Sequence, residues 1–242
     1  MATSGKDTGI VGYNVQAAVD TEHHLIVVHE VTNVGTDHRH LANIAGQARD
    51  ELGTETLEAV ADRGYYEGNE IKACEDAGTT VTLPKPQTSG AKAKGRFGKQ
   101  DFVYDTANDV YRCPAGERLT YRYTTEEDGK MLRRYWTSTC SQCPLKAQCT
   151  TGPERRIARW EHEAVLEAVQ ARLDKNPDAM KLRRQTAEHP FGTIKGWMGW
   201  THFLTMTLPK VATEMALNVL AYNMKRVIAI VGVRALVEAA RA

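Results

Sequence analysis

Two acidic residues occupy positions where α/β proteins place catalytic carboxylates. Asp62 follows the apolar segment 57–61, which is typical of a buried strand, and precedes the turn residues Arg63 and Gly64. An acid at the carboxyl end of a strand lies where open α/β sheets bind ligands. The alternative interpretation is a helix N-cap, which is a common role for aspartate at such a position.

Glu188 lies on a helix that the periodicity predicts over 179–189. Arg184 precedes it by four residues and shares its face of the helix. We expect Pro190 to end or bend this helix and Gly192 to permit a sharp turn, so that Lys195 returns toward the same site. The alternative is an ordinary ion pair between residues four apart on an exposed helix.

Together and in this order, the two motifs resemble the DDE transposases of bacterial insertion sequences. One group of that family carries a signature of Tyr, Arg, Glu and Lys, separated by two, three and six residues respectively. Arg184, Glu188 and Lys195 stand at those spacings, with Lys181 at the tyrosine position. Segments 12–20, 31–33 and 62–65 also resemble this group. The resemblance implies an α/β, RNase H-like mixed sheet flanked by helices.

The resemblance also implies a chemistry, which is DNA strand cleavage and transfer by in-line displacement at phosphorus. Such reactions use two divalent ions about 3.5–4 Å apart, and Mg²⁺ or Mn²⁺ prefers carboxylate oxygens. Asp62 and Glu188 would be metal ligands, and Arg184, Lys195 and Lys181 would hold DNA phosphates. The expected partners are transposon ends and target DNA, bound by a homo-oligomer, with no membrane.

A DDE site needs a third acid, which the resemblance places on a strand before segment 12–20. Asp7 lies there in a polar leader with no strand around it, and Asp20, a substitute candidate, ends the following strand. We therefore expect the first strand and its aspartate to lie upstream, and we expect weak or no transposition. The alternatives are an inactive DNA-binding or dimerisation remnant, or a nuclease of the same fold.

Four of the five cysteines form a second candidate site. Cys140 and Cys143 make a C-x2-C half-site for tetrahedral Zn²⁺, and Cys113 and Cys149 could supply the remaining thiolates. Their spacing is not that of a standard zinc finger, so reduced core cysteines or a disulfide are the alternatives. Cys74 lies on another predicted helix, and we expect it to belong to the core.

The element pattern divides the chain into three parts. Residues 1–86 predict an antiparallel hairpin, a helix over 38–52, and a strand–helix–strand unit with parallel pairing. Residues 87–160 begin with the basic, glycine-rich segment 87–100 and continue as a strand-poor, cysteine-containing insertion. Residues 161–242 predict helices over 161–173 and 179–189, then a helical tail with a break at Gly232.

Charge is distributed unevenly, although the net charge is only +1. Residues 1–84 carry 5 basic and 14 acidic side chains, whereas residues 85–242 carry 26 basic and 16 acidic ones. This suits a protein that holds metal at one place and phosphates at another, or one with two solvated faces of opposite sign. No secretory h-region or run of eighteen apolar residues is present, so we expect a cytoplasmic protein.

Overall fold

A computed structural model describes residues 2–3, 11–86 and 90–241. Asp7 and residues 87–89 of the basic segment lie outside the described residues. The chain divides into two compact units. Unit 1 comprises Met1–Lys85 and Val165–Ala242, and unit 2 comprises Pro86–Ala164.

Within its described residues, the first half of unit 1 contains three strand pairs and two α-helices. Its elements are β1 (Ala2–Thr3), β2 (Val11–Gly12), β3 (Asn14–Val19), β4 (Ile26–Thr32), α1 (Leu41–Glu51), β5 (Leu57–Val60), α2 (Gly68–Asp76) and β6 (Thr79–Thr82). Strands β3 and β4 form the predicted antiparallel hairpin, and β5 pairs in parallel with β6. The carboxyl ends of β5 and β6 therefore lie at one edge.

The β5–α2–β6 crossover depends on its caps. Glu67 accepts a hydrogen bond from the backbone N–H of Glu70 at 2.9 Å and so caps the start of α2. After α2 the chain turns at Gly78, whose φ of +81° is in the left-handed region. A Cβ there would also lie 2.8 Å from the Glu55 carbonyl oxygen, so only glycine fits this turn.

Unit 2 is built on one antiparallel sheet. Its strands are β7 (Val103–Asp105), β8 (Val110–Arg112), β9 (Arg118–Glu127), β10 (Lys130–Trp136) and β11 (Ile157–Trp160), in the order β11-β10-β9-β8-β7. Helix α3 (Lys146–Cys149) follows β10 along the chain. The prediction of a strand-poor insertion is therefore wrong. These strands contain mainly Tyr, Thr and Arg where aliphatic residues are usual. Their low hydrophobicity therefore resembles that of a loop.

The Asp128-Gly129 pair at the β9–β10 turn is the sequence feature that could have predicted this hairpin. Asp128 and Gly129 have φ of 51° and 72°, which fits a two-residue hairpin turn with both residues at positive φ. The sheet packs its inner face around an aromatic core of Phe102, Tyr111, Leu119, Tyr135 and Ile157.

The chain then returns to unit 1 through three helices. These are α4 (Glu163–Lys175), α5 (Ala179–Gly192) and α6 (Leu208–Ala239), and a π-helical turn, Thr193–Trp197, follows α5 directly. Helix α4 is tied to β6 by Arg172, whose Nε donates to the Val81 carbonyl oxygen at 3.1 Å. As predicted, Gly232 interrupts the last helix, with non-helical φ and ψ.

Two hydrophobic clusters hold unit 1 together. One packs the π-helical turn and the first half of α6 on the hairpin, through Ile26, Val31, Ile194, Val211, Met215, Val219 and Tyr222. The other joins α1, α2, β6 and α4, and it includes Cys74, which is 2% exposed and so confirms its predicted place in the core.

Helix α6 alone among the described elements has the length and apolar composition of a membrane-spanning helix, which is weak evidence for one. Its first half makes specific polar contacts with the hairpin. The Tyr222 hydroxyl donates to the His24 carbonyl oxygen at 2.6 Å, and Asn223 bonds both the N–H and the carbonyl of Ile26. This half of α6 is therefore a core helix of unit 1.

Candidate active site

Asp62 follows β5 at the carboxyl edge of the parallel pair. Its Oδ1 accepts a hydrogen bond from the Gly64 N–H at 2.7 Å and caps the short 3-10 turn Arg63–Tyr65. Its Oδ2 is 2.7 Å from Nη2 of Arg183. The two interpretations of Asp62 are therefore compatible, since one carboxylate oxygen caps the turn and the other points to a separate element.

Glu188 meets the same guanidinium. Nη1 of Arg183 lies 3.9 Å from Oε1 of Glu188, while Nη2 contacts Asp62. The side chain of Glu188 is 64% exposed and that of Asp62 is 39% exposed, so both carboxylates are accessible to solvent and to small ions. Arg183 and Glu188 both lie on α5, and Asp62 contacts this helix through Arg183.

The local details of α5 differ from expectation in two ways. Arg183, not Arg184, pairs with the carboxylates. The helix also does not end or turn back at Pro190 but continues to Gly192 and into the π-helical turn. Pro190 and Ile194 are buried, and this packing outweighs the roughly 3 kcal/mol cost of an interior proline.

The three predicted phosphate-binding residues are exposed on this same helical segment. Arg184 and Lys181 lie on α5, and Lys195 lies in the π-helical turn. Because residues seven apart share a helix face, Lys195 remains near the face of Glu188 without the sharp return that Gly192 was expected to permit. These three cations therefore lie along the same helical segment as Glu188.

A buried polar network beside Asp62 was missed. Oδ1 of Asp37 accepts hydrogen bonds from Asn14 and Gln16, each at 2.7 Å, and the Tyr65 hydroxyl donates to Oε1 of Gln16. Gln16 is 1% exposed. Two polar residues at alternate positions of β3 share a face of the strand, and this pattern was the available signal.

Gly64 lies between the two aspartates. A Cβ at this position would lie 3.0 Å from Oδ1 of Asp62 and 3.1 Å from Oδ2 of Asp37, so both carboxylates approach it closely. Burial raises the pKa of Tyr65, and the charges of Asp37 and Asp62 raise it further, against the effect of Arg183. Asp37 is therefore the additional carboxylate that shares the surroundings of Asp62.

Asp20 has a local role in its own turn. Its Oδ2 accepts from the His23 N–H at 2.5 Å and its Oδ1 from the Glu22 N–H at 3.3 Å. Burial acts to raise the pKa of Asp20, but these hydrogen bonds and His23 outweigh it and lower the pKa. None of the contacts recorded for the described part of the chain joins Asp20 to Asp62 or Glu188.

The carboxylates only partly meet the requirements of a metal site. Their oxygens are the donors that Mg²⁺ and Mn²⁺ prefer, and they are accessible. Within residues 2–3, 11–86 and 90–241, however, no three His, Cys, Asp or Glu side chains are arranged to hold a metal ion. Binding at Asp62 and Glu188 therefore requires the Arg183 side chain to move aside or the metal to enter with its own water.

The four predicted zinc ligands lie apart from this site in the sequence, all within unit 2. Cys113, Cys140, Cys143 and Cys149 line a common cavity, and none forms a disulfide. Burial raises the pKa of the Cys149 thiol, Arg155 acts to lower it, and the other three thiols raise it. The four cysteines thus share one environment.

Residues 112–228 match a family model described as a transposase DDE domain. The match contains Arg183, Glu188 and the four cysteines, whereas Asp62 precedes it. No curated protein sequence and no solved structure matches the chain. The family match supports a DDE transposase, and the mixed α/β architecture is consistent with such a domain.

Proposed function

We propose that this chain is the catalytic domain of an insertion-sequence DDE transposase, in which Asp62 and Glu188 bind Mg²⁺ or Mn²⁺ for DNA strand cleavage and transfer. Its RNase H-like core would be unit 1, with unit 2 as the cysteine-bearing insertion. The observation that carries the proposal is the shared contact of Asp62 and Glu188 with Arg183. Asp62, selected by its motif alone, meets the helix that carries Glu188, which is far away in the sequence.

The residues around the carboxylates suit work on a phosphodiester. When bound, the divalent ions would activate the attacking oxygen and stabilise the leaving oxygen. Arg184, Lys181 and Lys195 are exposed on one helical segment, where they can bind the phosphates of DNA. A homo-oligomer would hold transposon ends and target together in the cytoplasm.

A DDE site needs a third acid beside Asp62 and Glu188. Asp20 was the substitute suggested by the sequence, but its two oxygens are occupied by its own turn. Asp37 is better placed, because its Oδ2 approaches Gly64 from the same surroundings as Asp62. Its Oδ1 is fixed by Asn14 and Gln16, which leaves the other oxygen for a ligand.

A DNA-binding remnant without catalysis is the second candidate, and the sheet of unit 2 favours it. Arg122 and Arg156 lie 5.4 and 4.9 Å from the centre of the Trp136 ring, and Arg133 lies 4.7 Å from that of Tyr121. Arginines held against aromatic rings are suited to phosphates and to exposed bases. On this view binding would survive loss of the carboxylates.

Nicking of supercoiled plasmid in the presence of Mn²⁺ tests the proposal. The sequence alone suggested weak or no activity, but Asp37 is a candidate third carboxylate. We therefore expect Mn²⁺-dependent nicking in the parent protein and none in Asp62→Asn or Glu188→Gln. Glu161→Gln, an exposed change in unit 2, is the matched control and should keep the activity. A labelled oligonucleotide with a free 3′-hydroxyl, added to the reaction, should become joined to the plasmid by a transposase.

Three results would decide against the proposal as stated. Nicking that persists in both carboxylate variants places the activity elsewhere. Nicking without joining indicates a nuclease of the same fold. Salt-sensitive DNA binding with no Mn²⁺-dependent nicking indicates the remnant, because phosphate contacts alone give affinity that falls steeply with salt.

A further inference from the structure

The cavity of unit 2 brings together thiols from three separate short segments. Cys113 follows β8, Cys140 lies in the 3-10 segment Ser138–Gln142 with Cys143 directly after it, and Cys149 ends α3. All four line the same cavity, and all are free thiols. A cluster of this composition is a set of soft donors, which favours Zn²⁺ over Mg²⁺ or Ca²⁺.

Tight turns fix the backbone at the cysteines. The Cys143 N–H donates to the Cys140 carbonyl oxygen at 3.3 Å, so the C-x2-C pair spans a single turn. The Gly116 N–H donates to the Cys113 carbonyl oxygen at 2.8 Å, and the Cys113 N–H donates to that of Glu117 at 3.0 Å. Gly116 has a φ of +85°, which closes this second turn.

Arg155 lines the same cavity and lacks a partner for one buried donor. Its Nε is buried and makes no hydrogen bond within the described chain, while its guanidinium carbon lies 5.6 Å from the centre of the Phe102 ring. Leaving a buried donor unpaired costs about 1–3 kcal/mol. Neutral thiols are poor acceptors, whereas thiolates would accept from Arg155 and balance its charge.

We propose that Cys113, Cys140, Cys143 and Cys149 bind one structural Zn²⁺ as a tetrahedral tetrathiolate. The four S–H groups release their protons to solvent, and four Zn–S bonds of about 2.3 Å form. The centre then carries a net charge of 2−, which lies beside Arg155. With all four positions filled by protein, the ion has no open site for water or substrate, so its role is structural.

The thiols must rotate for this to happen. No three of the described His, Cys, Asp or Glu side chains are already arranged around a metal position. The four cysteines already line one cavity, so the proposal requires their sulfurs to turn toward a common point by rotation about the Cα–Cβ bonds. The bound ion would cross-link the β8 turn, the 138–143 segment and α3 beside the small aromatic core of unit 2.

Metal content and Co²⁺ spectroscopy of the full chain test this site directly. We expect one zinc per chain in protein purified under reducing conditions without added chelator. Replacement by Co²⁺ should give the visible bands of a tetrahedral ion together with intense thiolate-to-cobalt charge transfer in the near ultraviolet. Single serine variants of Cys113, Cys140, Cys143 and Cys149 should lose most of the metal, while Cys74→Ser should retain the full equivalent.

The Co²⁺ spectrum is measured on the parent chain, so the test survives variants that fail to fold. An octahedral spectrum, or one without thiolate charge transfer, contradicts the proposal. So do reduced protein that contains no zinc after incubation with it, equal zinc in the parent and all four variants, or a mass that shows disulfides among these cysteines. Mn²⁺-dependent nicking is a separate readout, so failure here leaves the carboxylate proposal standing.

Discussion

The two units of the molecule collect their candidate ligands in opposite ways. In unit 1 the carboxylate of Asp62 meets Arg183 across 121 residues of sequence, through a parallel strand pair and a returning helix. In unit 2 the four cysteines come from segments 113–149, held by local turns. The first site is a product of tertiary structure and the second of short-range geometry.

The atoms that could bind a metal also differ between the two units. Asp62 and Glu188 present exposed oxygens next to a cation, which suits a hard ion that enters with water and substrate. The four thiols line one cavity and could fill every position around an ion, which suits an ion that stays bound. A metal ion bound at the unit 1 carboxylates would therefore exchange freely, whereas an ion bound by the unit 2 thiols would contribute to folding.

The largest expected effect comes from measuring nicking and zinc content together in variants of each site. Glu188→Gln should reduce Mn²⁺-dependent nicking by more than the roughly 100-fold that loss of a residue supporting a metal ligand causes, yet keep one zinc. Cys143→Ser should lose the zinc. Metal content and nicking are measured on the same preparations. Loss of zinc in Glu188→Gln would mean that the two sites are not independent.

Shortening a core side chain should destabilise only the unit that contains it. Leu119 is 1% exposed and lines the thiol cavity, and Leu83 is fully buried in unit 1. Replacing either with Ala should cost about 2–5 kcal/mol. Hydrogen exchange resolved by peptide should place the loss in unit 2 for Leu119→Ala and in unit 1 for Leu83→Ala. Only Leu119→Ala should speed the release of zinc to a chelator.

Much of unit 1 could be predicted, because its signals are local. The β-former runs indicated the β3–β4 hairpin, and strand–helix–strand alternation indicated parallel β5 and β6. The choice between Arg183 and Arg184 could not be predicted. Neighbouring helical residues differ by about 100° in direction, and the rotation of α5 is set by the burial of Ala179, Thr186 and Pro190.

In unit 2 the candidate site was easier to predict from the sequence than the fold. Its cysteine spacing suggested a shared site, but its sheet was missed, since Tyr121, Tyr123 and Met131 are exposed and the strands lack an aliphatic pattern. The network of Asn14 and Gln16 with Asp37 was missed for a related reason. Polar residues in a strand read as solvent-facing unless their partner, distant in sequence, is known.

Removing the positive charge of Arg183 should raise the affinity of Asp62 and Glu188 for Mn²⁺. Arg183 competes with a divalent ion for Asp62 and Glu188, and a partly exposed ion pair is worth about 0–1 kcal/mol. Arg183→Gln should therefore raise the affinity for Mn²⁺ up to about fivefold, measured by calorimetry without DNA. Arg184→Gln is the matched control and should change it little. Weaker Mn²⁺ binding in Arg183→Gln would instead make Arg183 an organiser of the carboxylates.

The smallest expected effect is a pH dependence that belongs to unit 1 alone. Glu214 accepts hydrogen bonds from the N–H groups of Leu204 and Thr205 and from the Trp200 indole, and these bonds lower its pKa from 4.5 to about 2. A depressed pKa stabilises the folded state above the unfolded pKa, and this contribution is lost as the pH falls toward 2.

Glu214→Gln should therefore lower the Tm of unit 1 by a constant amount above about pH 5, and the difference from the parent should disappear as the pH approaches 2. Thr205→Val removes one of the donors and should give part of the same change. Thermal unfolding followed by circular dichroism of the helices measures this change, while the zinc content measured at neutral pH should stay the same in both variants. A difference that grows as the pH falls would mean that Glu214 is stabilised in its protonated form, and the hydrogen bonds to its carboxylate would not be the source of its effect.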